Sequence, residues 1–122
     1  MNMTKKIFIV EDDKKIAMAM GIRIKASGYD VSTAYDAVTA VSAARRYSPD
    51  LILLDISMPG GNGFGLAEKF QNLRETSGVP IIFITASKKP SLKFKAEELG
   101  AAGFFEKPYD SDTLLNKIST LI

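Results

Sequence analysis

Short apolar runs recur along the chain at residues 7–10, 31–34, 51–54, 79–84 and 103–105, each of strand length. The runs at 7, 51 and 79 are apolar at successive positions, which predicts strands buried on both faces. Between the runs the apolar spacing changes to that of helices. Ile16, Ala19, Met20 and Ile24 fall on one face, Val38, Val41 and Ala44 on a second, and Phe64, Ala67, Phe70, Gln71 and Leu73 on a third. Phe94, Ala96 and Leu99 mark a fourth helix, and Leu114, Leu115, Ile118 and Leu121 a last one. Asp13, Asp36 and Asp110 stand at N-cap positions, and Gly28 and Gly100 where helices should stop. Gly21 inside the first helix costs about 1 kcal/mol relative to alanine, which the pattern tolerates. Alternating β and α units predict an α/β fold, a doubly wound parallel sheet with helices on both faces. No repeat, low-complexity segment or linker interrupts the pattern, so a single domain over 1–122 is expected.

Composition narrows the chemistry more than the fold. The chain is 46% hydrophobic and 25% charged, as for an ordinary globular protein. It has no cysteine and no histidine, which removes disulfides, thiolate metal sites, cysteine nucleophiles and any triad built on imidazole. The first apolar run is too short for a signal-peptide core or a membrane span, and a cytoplasmic location is expected, with no membrane partner. Net charge is +2, and the basic residues are dispersed except at Lys88, Lys89, Lys93 and Lys95. Such a run reads as a solvated helix face, so no nucleic-acid partner is expected for this domain.

In doubly wound sheets, ligands bind beyond the carboxyl ends of the strands. Those ends read Val10-Glu11-Asp12-Asp13, Leu54-Asp55, Ile84-Thr85-Ala86-Ser87 and Phe105-Glu106-Lys107-Pro108. If the strands are neighbours, several carboxylates, a hydroxyl and an ammonium converge on one rim. Like charges about 4 Å apart repel by about 4 kcal/mol at an effective dielectric of about 20, so stability alone would not gather them. A divalent cation and Lys107 could offset the repulsion. An oxygen-only donor set with few carboxylates suits Mg²⁺. A carboxylate beside a metal, a lysine and a threonine hydroxyl is an arrangement for attacking a phosphoryl group, with Asp55 as nucleophile.

With these residues in order, the whole chain resembles the receiver domains of two-component response regulators. The resemblance is carried by the acids at 11–13, by Asp55-Ile56-Ser57-Met58-Pro59-Gly60 followed by Gly63, by Thr85-Ala86 and by Lys107-Pro108. It implies a flavodoxin-like sheet of five strands in the order 2-1-3-4-5. It also implies that Asp55 is the phosphoacceptor and Asp12 the direct Mg²⁺ ligand, with Glu11 assisting through water and the Ser57 carbonyl completing the protein's share. Asp13, at a helix cap, ranks below the other acids. Thr85 would hold a phosphoryl oxygen, Lys107 would pair with the phosphoryl group, and the Lys107-Pro108 bond would be cis. Phe104, three positions before the lysine, fits the switch aromatic. The implied partners are a sensor histidine kinase or histidine phosphotransfer protein as donor, and an effector the residues do not name. Such a domain assists its own phosphorylation and is not a conventional turnover enzyme.

Other functions fit less well. A phosphatase of the haloacid dehalogenase type expects a second aspartate where Ser57 stands, and a dinucleotide fingerprint fails because the glycine cluster follows the third strand and Leu66 replaces its last glycine. A degenerate receiver that binds partners without phosphorylation is the remaining alternative, although every key position carries a competent residue.

Overall fold

The computed structural model describes residues 4–58 and 63–122. Its elements are β1 (Lys6–Val10), α1 (Lys14–Ala26), β2 (Asp30–Ala34), α2 (Ala37–Tyr47), β3 (Leu51–Asp55), α3 (Gly63–Asn72), β4 (Ile81–Thr85), α4 (Pro90–Glu98), β5 (Gly103–Glu106) and α5 (Ser111–Leu121). All strands pair in parallel in the order β2-β1-β3-β4-β5, the arrangement the resemblance implies. Pro59 and Gly60, with the two residues after them, lie outside the described residues. No helix among those described is long and apolar enough to cross a membrane.

Strand alternation sorts the core into two layers. Phe8, Ile52, Leu54 and Phe83 pack with Ala40, Ala44, Phe64, Ala67, Phe70 and Ala96 of α2, α3 and α4. Ile7, Ile9, Leu51, Leu53, Ile82 and Ile84 pack with Met20, Ile24, Leu114 and Ile118 of α1 and α5. The adjacent rings of β5 divide the same way, Phe104 joining the first layer and Phe105 the second.

The helices face the sheet differently from the hydrophobicity pattern in several places. In α1 the buried residues are Ala17, Met20, Gly21 and Ile24, while Ile16 and Ala19 are exposed. In α2 Ala40 and Ala44 are buried and Val38 is 89% exposed. In α3 Leu66 is buried and Gln71 exposed, and Leu73 lies past the helix end. In α4 Ala96 is buried and Phe94 is 66% exposed. Where a helix lies close on a sheet, small residues occupy the line of nearest approach and large ones are displaced to its edges. Gly21 belongs to this line: a Cβ built there would lie 3.7 Å from Val31 Cγ1.

The ends of the helices follow the sequence closely. Asp13, Asp36 and Asp110 each accept hydrogen bonds from first-turn N–H groups of α1, α2 and α5. Gly28 and Gly100, just past α1 and α4, have φ of +99° and +77°, the left-handed region that favours glycine. Helix α4 is the exception at its start. Its N-cap is Lys89, which makes no side-chain capping bond, no acidic residue stands in its first turn, and Glu97 and Glu98 close it beside Lys95. Of these charges Lys95 alone has the sign the helix dipole favours at its position.

Gly63 opens α3 where the helix presses against the residue after Asp55. A Cβ at Gly63 would lie 2.6 Å from the Ile56 Cα, an overlap with backbone that no rotamer change relieves. Gly63→Ala is therefore expected to destabilise the fold by about 1–3 kcal/mol, the usual range for overpacking. Urea unfolding at equal slope measures it, and an unchanged midpoint would show that α3 does not approach β3 this closely.

Candidate functional site

The strand order makes the chain diverge at β1 and β3: after β1 it turns to β2 on one side, then returns to β3 on the other. The loops leaving β1 and β3 therefore bound a crevice at the carboxyl edge. The sheet ladder carries the relevant residues to this edge. The Glu11 N–H donates to the Ala34 carbonyl, the Ile56 N–H to Ile84 and the Lys107 N–H to Thr85. Glu11, Asp55 and Thr85 are each buried, at 2%, 3% and 1% exposure, whereas Asp12 is exposed.

Lys107 joins the loops. Its Nζ donates to Glu11 Oε1 at 2.7 Å and to Asp55 Oδ2 at 2.9 Å. The other Asp55 oxygen, Oδ1, accepts from the Ser57 N–H at 2.8 Å and from Ser57 Oγ at 2.6 Å. Glu11 Oε2 accepts from the Asp13 N–H at 3.2 Å, while the Asp13 carboxylate caps α1. Thr85 Oγ1 accepts from the Ser87 N–H at 3.0 Å, within its own loop. The Lys107-Pro108 peptide is cis. Glu11, Asp12, Asp55, Ser57 and Lys107 thus come together, and Thr85 stands at the neighbouring strand end, in register with Glu106.

Burial treats the two inner carboxylates unequally. It pushes Glu11 up to about 7, with the Lys107 hydrogen bond opposing and the Asp55 carboxyl adding to the rise. Burial alone would also raise Asp55, but hydrogen bonds from Ser57 and Lys107 outweigh it and hold that carboxyl below its ordinary value. Lys107 is likewise held up by its two carboxylates against the effect of burial. At neutral pH Asp55 is anionic and Lys107 cationic, while Glu11 is near its titration point.

The donor set fits a hard divalent cation. One oxygen from each of Glu11, Asp12 and Asp55 lies within 4.8 Å of the others. An ionised pair at such a separation repels by about 3–4 kcal/mol at an effective dielectric of about 20. Two of these carboxylates are buried, so this is not the solvated cluster of an ordinary acidic surface. With neither histidine nor cysteine in the chain, the ligands are all oxygens, as Mg²⁺ prefers.

The sequence pointed to Ser57 by its carbonyl only, and its hydroxyl is a further contact of the site. The Ser57 hydroxyl bonds Asp55 and also accepts from the Ala86 N–H at 3.4 Å, so it touches both the β3 and β4 loops. The available signal was an aspartate two residues before a serine at a strand end, the setting for an Asx-turn.

Comparison with known proteins gives the class. The response regulator receiver domain matches residues 7–119, and the chain belongs to that family, the receiver domains of two-component systems. The response regulator PleD of Caulobacter vibrioides is 34% identical over 98% of this chain and 26% of its own length. The DNA-binding dual master transcriptional regulator RpaA of a Synechocystis strain is 29% identical over 96% of this chain and 48% of its own. The chain thus spans between about a quarter and half of these curated relatives. Among solved structures, the Vibrio cholerae chemotaxis protein CheY4 superposes with a TM-score of 0.89 at 27% identity, covering 98% of this chain and 99% of that one. A CheY-like receiver domain protein from Methanospirillum hungatei gives 0.88 at 29% identity, covering 96% and 92%.

The Glu11 environment predicts a pH dependence in metal-free protein. The native state keeps this proton up to about 7, whereas the unfolded chain releases it near 4.5. Within that window the native state binds more protons, so the contribution of Glu11 to stability falls as pH rises. Asp55, shifted downward, acts in the opposite sense and only at more acidic pH. Glu11→Gln should flatten the decline, as read by urea unfolding in EDTA across the window. Parallel stability curves for mutant and wild type would contradict the assignment.

Proposed function

We propose that residues 1–122 form one receiver domain in which Asp55 takes a phosphoryl group from a phosphohistidine, in a Mg²⁺-dependent step. The observation that carries the reading is the buried, anionic Asp55 carboxylate, paired at 2.9 Å with Lys107 and grouped with Glu11 and Asp12 at the switch in strand order. An Asp55 oxygen forms the new P–O bond as the P–N bond to the donor imidazole breaks, the imidazole keeping the electron pair. Because these 122 residues include no histidine, the donor lies outside them, on a sensor histidine kinase or a histidine phosphotransfer protein.

The chain's own residues bind and orient. Lys107, already protonated between two carboxylates, is placed to turn from them to a phosphoryl oxygen, and the Thr85 hydroxyl, with the Ser87 N–H on its oxygen, keeps its own proton for donation. Asp12, Asp55 and the Ser57 carbonyl would hold the metal, with Glu11 acting through water. When bound, Mg²⁺ would neutralise charge on the carboxylates and the phosphoryl oxygens. The phosphorylated domain then controls an effector through a change of conformation, in the cytoplasm and without contacting nucleic acid itself. The lysines of the α4 region keep to the protein's own surface: Lys88 pairs with Glu106 at 3.7 Å and Lys95 lies over the Phe64 ring at 5.4 Å.

Incubation with acetyl phosphate and Mg²⁺, followed by intact-mass measurement, tests the reading. Asp55→Asn should abolish phosphoryl uptake, and uptake at the wild-type rate would exclude Asp55. Asp12→Asn should keep the fold and weaken Mg²⁺ binding by roughly tenfold or more. Equal affinities would remove Asp12 from the site.

A further inference from the structure

We propose that the outer edge of β2, with the groove between it and α1, takes an extended acidic segment of a partner protein as a sixth strand of the sheet. No residue of the carboxyl-edge site lines this groove, and its use does not depend on phosphoryl transfer. β2 has β1 on one side and no described strand on the other. The Asp30 N–H donates to the Lys5 carbonyl at 2.9 Å, and the Ala34 carbonyl accepts from the Glu11 N–H at 3.1 Å. The even-numbered residues thus turn their backbone groups to β1, and Val31 and Thr33 turn theirs outward. Natural edges are commonly blunted by lysine, proline or a bulge. β2 reads Asp-Val-Ser-Thr-Ala and pairs with β1 residue for residue from Asp30 to Ala34, so it has none of these.

Side chains supply the rest of the surface. Val31 packs with the layer of α1 and α5, and strand alternation puts Thr33 on the same side. Between this row and Met18, Gly21 and Ile22 of α1 lies a groove of about 300 Å³, at the small end of the range for ligand sites. Met18 and Ile22 are largely exposed, which leaves apolar surface uncovered on its outer wall. Outward backbone groups beside a groove that receives alternate side chains are what an extended peptide uses to add to a sheet.

Charge selects the occupant. Lys25 lines one end of the groove, Lys14 stands over the Tyr35 ring at the other, and α1 contains no acidic residue. The Asp30 carboxylate faces the opposite layer, where it accepts from the Tyr47 hydroxyl. A segment with apolar side chains two residues apart and a carboxylate at one end complements this surface. A second copy of the chain does not: a closed pair would run the two edges antiparallel and bring Lys25 of one groove toward Lys14 of the other, like charge against like.

Panning a displayed library of random decapeptides on the intact chain tests this, with Thr33→Pro and Thr33→Val as comparison targets and circular dichroism for their folds. Proline removes an outward N–H that the sheet does not use, and valine keeps it. Peptides enriched on wild type should alternate apolar residues and carry Asp or Glu. Resynthesised, they should bind Thr33→Val within about twofold of wild type and Thr33→Pro more weakly by about tenfold or more. Bound peptide should also slow hydrogen exchange at the Val31 and Thr33 amides by about tenfold or more. Met18→Glu, on the helix side of the groove and outside the sheet, should weaken binding as well, and decides the matter if the proline variant does not fold. Equal enrichment on wild type and Thr33→Pro would overturn the proposal, as would neutral or basic consensus peptides, unchanged exchange at both amides, or full binding by Met18→Glu. A wild-type dimer in sedimentation that Thr33→Pro dissolves would assign the edge to a second copy and overturn it too.

Discussion

The ammonium of Lys107, shared between Glu11 and Asp55, is the interaction on which the carboxyl edge depends. The two carboxylates are buried within 4.8 Å of each other, and without a cation between them one would have to remain protonated. Lysine is bonded here to residues 96 and 52 positions away in sequence, so one side chain fixes three loops relative to one another. Each loop is already fixed on its other side by the parallel ladder. The position of the lysine is therefore set by the fold, and the fold near the site is set by the lysine.

This arrangement is stable only as long as each charge has its partner. Any cation or anion entering the crevice competes for partners already in use: a metal with Lys107 for Glu11 and Asp55, a phosphoryl group with the carboxylates for Lys107. Binding there would be coupled to loop geometry for that reason, with no long-range wire through the core required. The deep apolar layers below, built from strands that are buried throughout β3 and β4, give a rigid base against which such rearrangements at the edge can occur.

Much of this was legible in the sequence because the signals were local. The strands show as uninterrupted apolar runs, the caps as aspartates, the stops as glycines, and the site as charged residues placed where strands end. What was misjudged depends on tertiary distance. Ile16, Val38 and Phe94 are more hydrophobic than Ala17, Ala40 and Ala96, yet the alanines are buried, since side-chain size at the closest line of helix and sheet outweighs hydrophobicity. Gly63 could be noted as part of a motif, but only its overlap with Ile56 explains why nothing larger fits. The Ser57 hydroxyl was missed because its second partner, Ala86, lies on a different strand end and becomes a neighbour only after β3 and β4 pair.

Helix α4 lies at the other extreme from the buried strands. It lacks a capping side chain, has no acidic residue in its first turn and buries a single residue, Ala96. Little free energy separates its present turns from frayed ones, so its amide hydrogens should exchange with solvent through local opening long before the sheet unfolds. A segment that loose responds to small forces. The least secured turns of the molecule therefore begin just past the strand that carries Thr85, against a sheet that is secured throughout.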